Sequence, residues 1–151
     1  MQVDLQPAGP DAKPVIARLL ELNAFALSAY TGQDLDAEGR YGYPYLDLYW
    51  DGSAGRAAYL ITVDARLAGF ALARPGDPHE VAEFLVLPKY RRTGVGRLAA
   101  RQLFAAWPGE WLVHEVVGNE AATGFWRRAI VQPFTETHDA SGTTQRFIQP
   151  G

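Results

Sequence analysis

The sequence of 151 residues contains no cysteine. That absence excludes disulfides, thiolate metal sites and a cysteine nucleophile together, and it fits a reducing compartment such as the cytoplasm. Long hydrophobic runs are also lacking. The longest are five residues, Ala57–Ile61 and Leu103–Trp107, against roughly 20 for a helix that spans a bilayer. No membrane partner is expected. The start, Met1-Gln-Val-Asp-Leu-Gln-Pro7, has neither a basic end nor an apolar core, so no secretory signal is expected. Histidine is scarce: His79, His114 and His138 fall on separate predicted elements without a spacing such as H-E-x-x-H, so no metal is expected. An excess of basic charge is missing too. With 14 Lys+Arg against 17 Asp+Glu, the net charge of −3 argues against a nucleic-acid partner. What remains is ordinary for a globular chain, 48% hydrophobic and 21% charged, and long enough for one domain over 1–151 with a sizeable core.

The charge is unevenly distributed. From Phe84 to Gly109 there is no acidic residue, while Lys89, Arg91, Arg92, Arg97 and Arg101 give that segment +5. The rest of the chain then carries 9 basic and 17 acidic residues, or −8. A solvated helix face usually mixes both signs, so this segment is the first place to look for an anionic ligand. The alternative is a basic helix face that meets acidic neighbours.

Hydrophobic spacing predicts the elements. Gln2–Gln6 reads as a short strand, and Asp11 as the N-cap of a helix with Pro14 in its first turn. Val15, Leu19, Leu22 and Ala26 would form that helix's buried face, and the helix should fade near Tyr30-Thr31-Gly32. Glycines and Pro44 break up residues 32 to 55, yet Tyr41–Trp50 holds four tyrosines and a tryptophan. These suit either a cleft wall or a loop anchored to the core. Strands 57–63 and 67–73 form a hairpin around Asp64-Ala65-Arg66, with Gly69 marking a bulge. A strand His79–Leu87 follows, stopped by Pro88. Next comes a helix from about Gly94 to Trp107, with Val95, Leu98, Ala99, Gln102, Leu103 and Ala106 on one face. Strand 111–117, helix 120–129 and a hairpin of 134–138 with 144–148 complete the chain. This order implies an α/β (α+β) fold with a mixed, mostly antiparallel central sheet and helices on both faces.

The segment from Glu83 to Gly96 runs from a strand through Lys89-Tyr-Arg-Arg-Thr-Gly-Val-Gly96 into a helix. A helix N-terminus offers unpaired N–H groups and the positive end of its dipole. Gly94 and Gly96 would let the backbone approach a ligand, and the arginines add positive charge. Together these residues make a phosphate or pyrophosphate cradle. No G-x-x-x-x-G-K-[ST] is present, which excludes a P-loop. Gly94-Val-Gly-Arg-Leu-Ala99 does match the dinucleotide pattern G-x-G-x-x-[GA]. However, six residues, Pro88 to Thr93, separate it from the strand, whereas a dinucleotide turn begins right at the strand end.

Arg91-x-x-Gly94-x-Gly96 resembles the [QR]-x-x-G-x-[GA] motif of the GCN5-related N-acetyltransferase (GNAT) superfamily, and its setting after Val86-x-Pro88 is similar to that of many members. Asn119-x-x-Ala122-x-x-Phe125-Trp126 resembles the family's Asn-x-x-Ala-x-x-Phe-Tyr on a later helix. The likeness spans about 81 to 130. It implies acetyl-CoA as co-substrate, with the pyrophosphate on the N–H groups of Arg92, Thr93, Gly94, Val95 and Gly96. It also implies the pantetheine arm paired along Leu85, Val86 and Leu87, and a backbone N–H near Val86 or Leu87 facing the thioester oxygen. Asn119 and Phe125 would border the cofactor, and Lys89, Arg91, Arg92 and Arg97 would serve its phosphates. The implied reaction is direct transfer of an acetyl group to a primary amine of a small molecule or peptide. Family members often form homodimers, so a homodimer is compatible with the resemblance.

An alkylamine must lose a proton before it attacks, and a carboxylate commonly helps. Glu80 and Glu83 are the candidates. Three residues apart, they would lie on opposite faces of a regular strand unless a bulge intervenes. Glu83 is preferred because it sits among apolar residues, where a carboxylate needs a reason. The tyrosine that many members place after the helix Phe is here Trp126, a poor acid. A tyrosine from 41–49, or solvent, would have to replace it. That departure motivates an alternative, a non-catalytic acyl-CoA sensor. The acidic remainder of the chain would suit a cationic acceptor.

Overall fold

The structure is a computed structural model that describes residues 1–52 and 55–151. Ser53 and Ala54, at the end of the irregular stretch 32–55, lie outside the described residues. The elements run β1 (Val3–Pro7), α1 (Lys13–Thr31), β2 (Ala57–Val63), β3 (Arg66–Arg74), β4 (His79–Val86), α2 (Val95–Ala106), β5 (Gly109–Val116), α3 (Glu120–Ala129), β6 (Phe134–Asp139) and β7 (Gly142–Gln149). Short 3₁₀ turns sit at Pro10–Ala12, Leu46–Tyr49 and Pro88–Tyr90. The strands form one sheet in the order β1-β2-β3-β4-β5-β7-β6. Every neighbouring pair is antiparallel except β4 with β5. This is the mixed, mostly antiparallel sheet that the element order implied.

The strands alternate to feed two cores. On one face, Ile16, Leu19 and Leu20 of α1 pack with Ala58, Phe70, Leu72 and Leu85. On the other, Leu103 and Phe104 of α2 and Trp126 of α3 pack with Ala71, Ala73, Trp111 and Val113. The hairpin loop is two residues, Asp64 and Ala65, both with positive φ (48° and 66°), and Arg66 already pairs with Val63. That is the twist a two-residue turn needs.

Several expected details shift. Asp11 does not cap α1; it lies in the preceding 3₁₀ turn, and Ala12 holds the cap position. The buried stripe of α1 is Ile16, Leu19, Leu20 and Asn23, whereas Leu22 is exposed. The α2 face is Val95, Ala99, Ala100, Leu103 and Phe104. Gln102 lies beside it, and its amide spans β1: Nε2 donates to the Val3 carbonyl and Oε1 accepts from the Leu5 N–H, both at 2.9 Å.

Gly69 is not itself the bulge. Ile61 pairs with Gly69 and Thr62 with Leu67, so Ala68 is the extra residue. Gly69 instead lets β4 come close: a Cβ there would sit 1.9 Å from the Leu85 carbonyl oxygen. Gly69→Ala is therefore expected to cost about 3 kcal/mol through overpacking against backbone that has no room to move. Urea denaturation should show a lower midpoint with an unchanged slope. An unchanged midpoint would mean that β3 and β4 can part at this point without loss.

Candidate active site

β4 pairs with β3 from Glu80 to Val86 but with β5 only at His79↔Trp111 and Glu80↔Leu112. Beyond Glu80 the two strands diverge. The Leu87 N–H donates to the Ala68 carbonyl at 2.8 Å, so by strand alternation the N–H and C=O of Val86 point away from β3 and into the gap. A cleft of about 810 Å³ occupies this gap. Its walls are the end of β4, the β4–α2 turn, α3 and one side of α1. Behind it, Phe84 packs against Phe125 and Trp126 at ring separations of 5.7 and 5.0 Å.

The turn into α2 has the left-handed conformations a cradle requires. Arg92 has φ 62° and Gly94 has φ 88° as the cap of α2. The first N–H groups of α2 (Val95, Gly96, Arg97) lack intrahelical acceptors by position. Gly96 serves packing: a Cβ there would lie 2.8 Å from the Phe125 ring. Arg91 Nε donates to the Val86 carbonyl at 2.9 Å, which ties the turn to the strand. Leu85, Val86, Arg91, Arg92, Gly94, Gly96, Arg97, Asn119 and Phe125 all reach the cleft wall. The side chains of three expected residues do not line it: Thr93 Oγ1 donates to the Tyr90 carbonyl, the Val95 side chain is fully buried although its N–H is open, and the Leu87 N–H is committed to β3. Asn119 caps α3, its Oδ1 accepting from the Ala122 N–H at 3.2 Å.

Glu80 and Glu83 share a face, because a bulge does intervene. Leu72 pairs with Glu83 and Ala73 with Val81, so Ala82 is the extra residue that turns Glu83 to the α1 side. Glu80 is bound to Arg74 at 3.2 Å. Glu83 is half-buried and accepts from Asn23 Nδ2 at 3.0 Å. Burial pushes its carboxyl up to about 7, against the opposing pull of the Asn23 hydrogen bond and the Arg74 charge. Asn23 also lines the cleft, so it links Glu83 to that space.

Asn23, Tyr30, Glu120 and Arg128 at the wall were not expected. The signal for Arg128 lay in helical spacing, since Ala121, Gly124, Phe125 and Arg128 recur at i, i+3, i+4 and i+7. Of the aromatic segment, Tyr49 is buried and Trp50 Nε1 donates to the Ala8 carbonyl at 2.9 Å, which anchors the loop. Trp126 is buried at the back of the cleft. His79 is structural: Nδ1 accepts from the Gly76 N–H and Nε2 donates to the Pro108 carbonyl, both at 2.8 Å. Among the described residues no cluster of His, Asp and Glu is placed to hold a metal ion, and no helix is long and apolar enough to cross a membrane.

The profile of the acetyltransferase (GNAT) family matches residues 19–130. The chain superimposes on an acetyltransferase from Thermus thermophilus with a TM-score of 0.72 and 21% identity, covering 100% of this chain and 98% of the other. The PaiA N-acetyltransferase of Thermoplasma acidophilum, solved in complex with coenzyme A, gives a TM-score of 0.65 at 11% identity over 98% and 99% of the two chains. The ribosomal-protein-S18-alanine N-acetyltransferase of Escherichia coli gives 0.65 at 14% identity over 99% and 96%. At these identities the superpositions establish the fold. No curated protein sequence matches the chain.

The environment of Glu83 has a measurable effect on stability. Its carboxyl titrates at about 7 in the folded chain and near 4.3 when unfolded. Between those values the folded state keeps a proton that the unfolded state has released, so stability falls as pH rises through this window. Glu83→Gln removes that loss and is expected to be more stable than the wild type at pH 8 but not at pH 4. Denaturation curves for both proteins at a series of pH values decide this. Parallel pH dependence would mean that Glu83 ionises in the fold as it does in water.

Proposed function

Because the chain belongs to the acetyltransferase (GNAT) family, we propose that it transfers an acetyl group from acetyl-CoA to a primary amine of a small molecule or peptide by direct attack of that amine. The observation that carries this reading is the parting of β4 from β5, where a cleft reaches from an arginine-rich helix N-terminus to Asn23, the hydrogen-bond partner of Glu83.

The residues fit a CoA thioester. The Gly94 cap and the first N–H groups of α2 form a concave donor set for pyrophosphate, and Arg91, Arg92, Arg97 and Arg128 surround it. The Thermoplasma neighbour solved with coenzyme A supports the same use of the fold. When bound, acetyl-CoA supplies an acetyl group already activated as a thioester. Val86 contributes the N–H that faces the gap, where it can hold an oxygen that gains charge. Leu87 cannot share that task, because its N–H is taken by Ala68.

Glu83 is the base in this reading. A free amine is protonated at neutral pH, and a carboxyl that titrates at about 7 takes a proton far better than one near 4. Asn23 holds the carboxylate in place. Glu80, bound to Arg74, steers that arginine and does not act as base. Tyr30 carries the one phenol at the cleft wall among the described residues. It would give the departing CoA thiolate the proton that the indole of Trp126 cannot supply.

Two variants test the assignment. Gly94→Val cannot easily hold a φ of 88°, and acetyl-CoA affinity measured by calorimetry is expected to fall at least tenfold while the fold persists. Unchanged affinity would move the cradle elsewhere. Glu83→Gln is expected to lower kcat by about 100-fold with little change in acetyl-CoA binding. It should also abolish the rise of activity through pH 7 expected of the wild type. If acetyl-CoA binds yet no polyamine, aminoglycoside, amino acid or peptide releases free thiol, the chain is an acyl-CoA-binding module instead.

A further inference from the structure

Arg56 has no role in the chemistry above, yet it is held as though for a ligand. It continues the line of β2 just before Ala57, which pairs with Ala73, and Ala58 pairs with Leu72. By strand alternation Arg56 shares a face with Ala58, which packs beneath α1, and with Leu72, the partner of Glu83. Its guanidinium lies over the rings of Tyr45 and Tyr49, 5.7 and 5.6 Å from their centroids. Among the described residues its Nη1 is buried with no hydrogen-bond partner, and the Tyr49 hydroxyl is buried too, facing that of Tyr43.

A guanidinium fixed between two aromatic faces keeps its planar fork in one plane. Leaving a buried donor unsatisfied is costly, so a site that retains one suits an acceptor that arrives from outside. Tyr43 joins this cluster to the proposed chemistry. Its ring packs edge-on to Tyr45 at 5.7 Å, and its hydroxyl feels Tyr49, Glu83 and Arg56 together.

Four acidic side chains are engaged by other groups. Glu21 accepts from the Tyr41 and Gly42 N–H groups, Asp36 from those of Glu38 and Arg40, and Asp47 binds Lys13. Glu80 is bound to Arg74. These four of the acidic groups that suggested a cationic acceptor are thus bonded within the chain.

We propose that the acceptor amine carries a carboxylate, and that Arg56 binds this group while the amine faces Glu83. The proposal rests on the transfer reading for the position of the amine. Arg56 is then a specificity-determining residue, and the acceptor class is amino-acid-like and not a polyamine. The guanidinium takes the carboxylate as a bidentate pair, with the Tyr49 hydroxyl as a further donor.

Matched amines with and without a carboxylate provide the test: phenylalanine against phenethylamine, ornithine against putrescine, and γ-aminobutyrate against propylamine. Binding to the CoA-loaded protein is followed by calorimetry and acetyl transfer by thiol release, for wild type, Arg56→Gln and Arg56→Lys. Unfolding midpoints confirm that each variant folds. The wild type is expected to prefer the carboxylated member of at least one pair by tenfold or more. Arg56→Gln should remove that preference without changing the other member by more than twofold. Arg56→Lys should restore only part of it, since an ammonium lacks the fork. Equal binding within every pair overturns the proposal, as does an equal loss for both members in Arg56→Gln. If carboxylated amines bind through Arg56 but none is acetylated, this site stands and the transfer reading fails.

Discussion

The site depends on one interruption in an otherwise continuous hydrogen-bonded sheet. β4 and β5 are the single parallel pair, and they stay joined for only two residue pairs. Each strand is held by its other neighbour, β4 by β3 and β5 by β7. The gap can therefore open without loosening the sheet. The rings of Phe84, Phe125 and Trp126 fill its back wall. The missing side chain of Gly96 lets Phe125 sit close to α2. The helix N-terminus and Val86 then border space that a complete ladder would have closed, and Asn23, which bonds the Glu83 carboxyl, lines it as well.

The order of elements and the glycine-capped turn into α2 were legible in the sequence because both are local. Glycines and prolines punctuate the chain at the ends of strands and helices, and the arginines lie within a few residues of the α2 cap. Two things were not legible. The phase of α1 could not be read, because apolar residues sit on more than one of its sides: Leu22 and Phe25 point outward while Asn23 is buried. A polar residue inside and leucine outside reverse the usual reading of a helix face. The facing of Glu80 and Glu83 turned on one inserted residue, Ala82, and a bulge leaves no reliable trace in the sequence.

Net charge does not say which carboxylates are available to an acceptor, for a related reason. The acidic excess outside the basic segment suggested attraction to a cation. In the folded chain many of those carboxylates bind backbone N–H groups of their own loops or pair with neighbouring basic side chains. A charge already bonded to its own chain contributes little to recognition at short range. Which charges remain without partners is a property of the fold and not of the composition.

The amide of Gln102 has a consequence for how copies of this chain can meet. An outer strand with open backbone groups is a template for another strand. At β1 the carbonyl of Val3 and the N–H of Leu5 are already taken by a side chain that imitates one. The opposite margin of the sheet, β6, carries no such plug among the described contacts. Joining the two different margins head to tail would generate an open fibre, whereas joining like to like closes after two copies. With one margin plugged, the sheet is biased against endless growth, and strand-to-strand association at β6 would end in a pair.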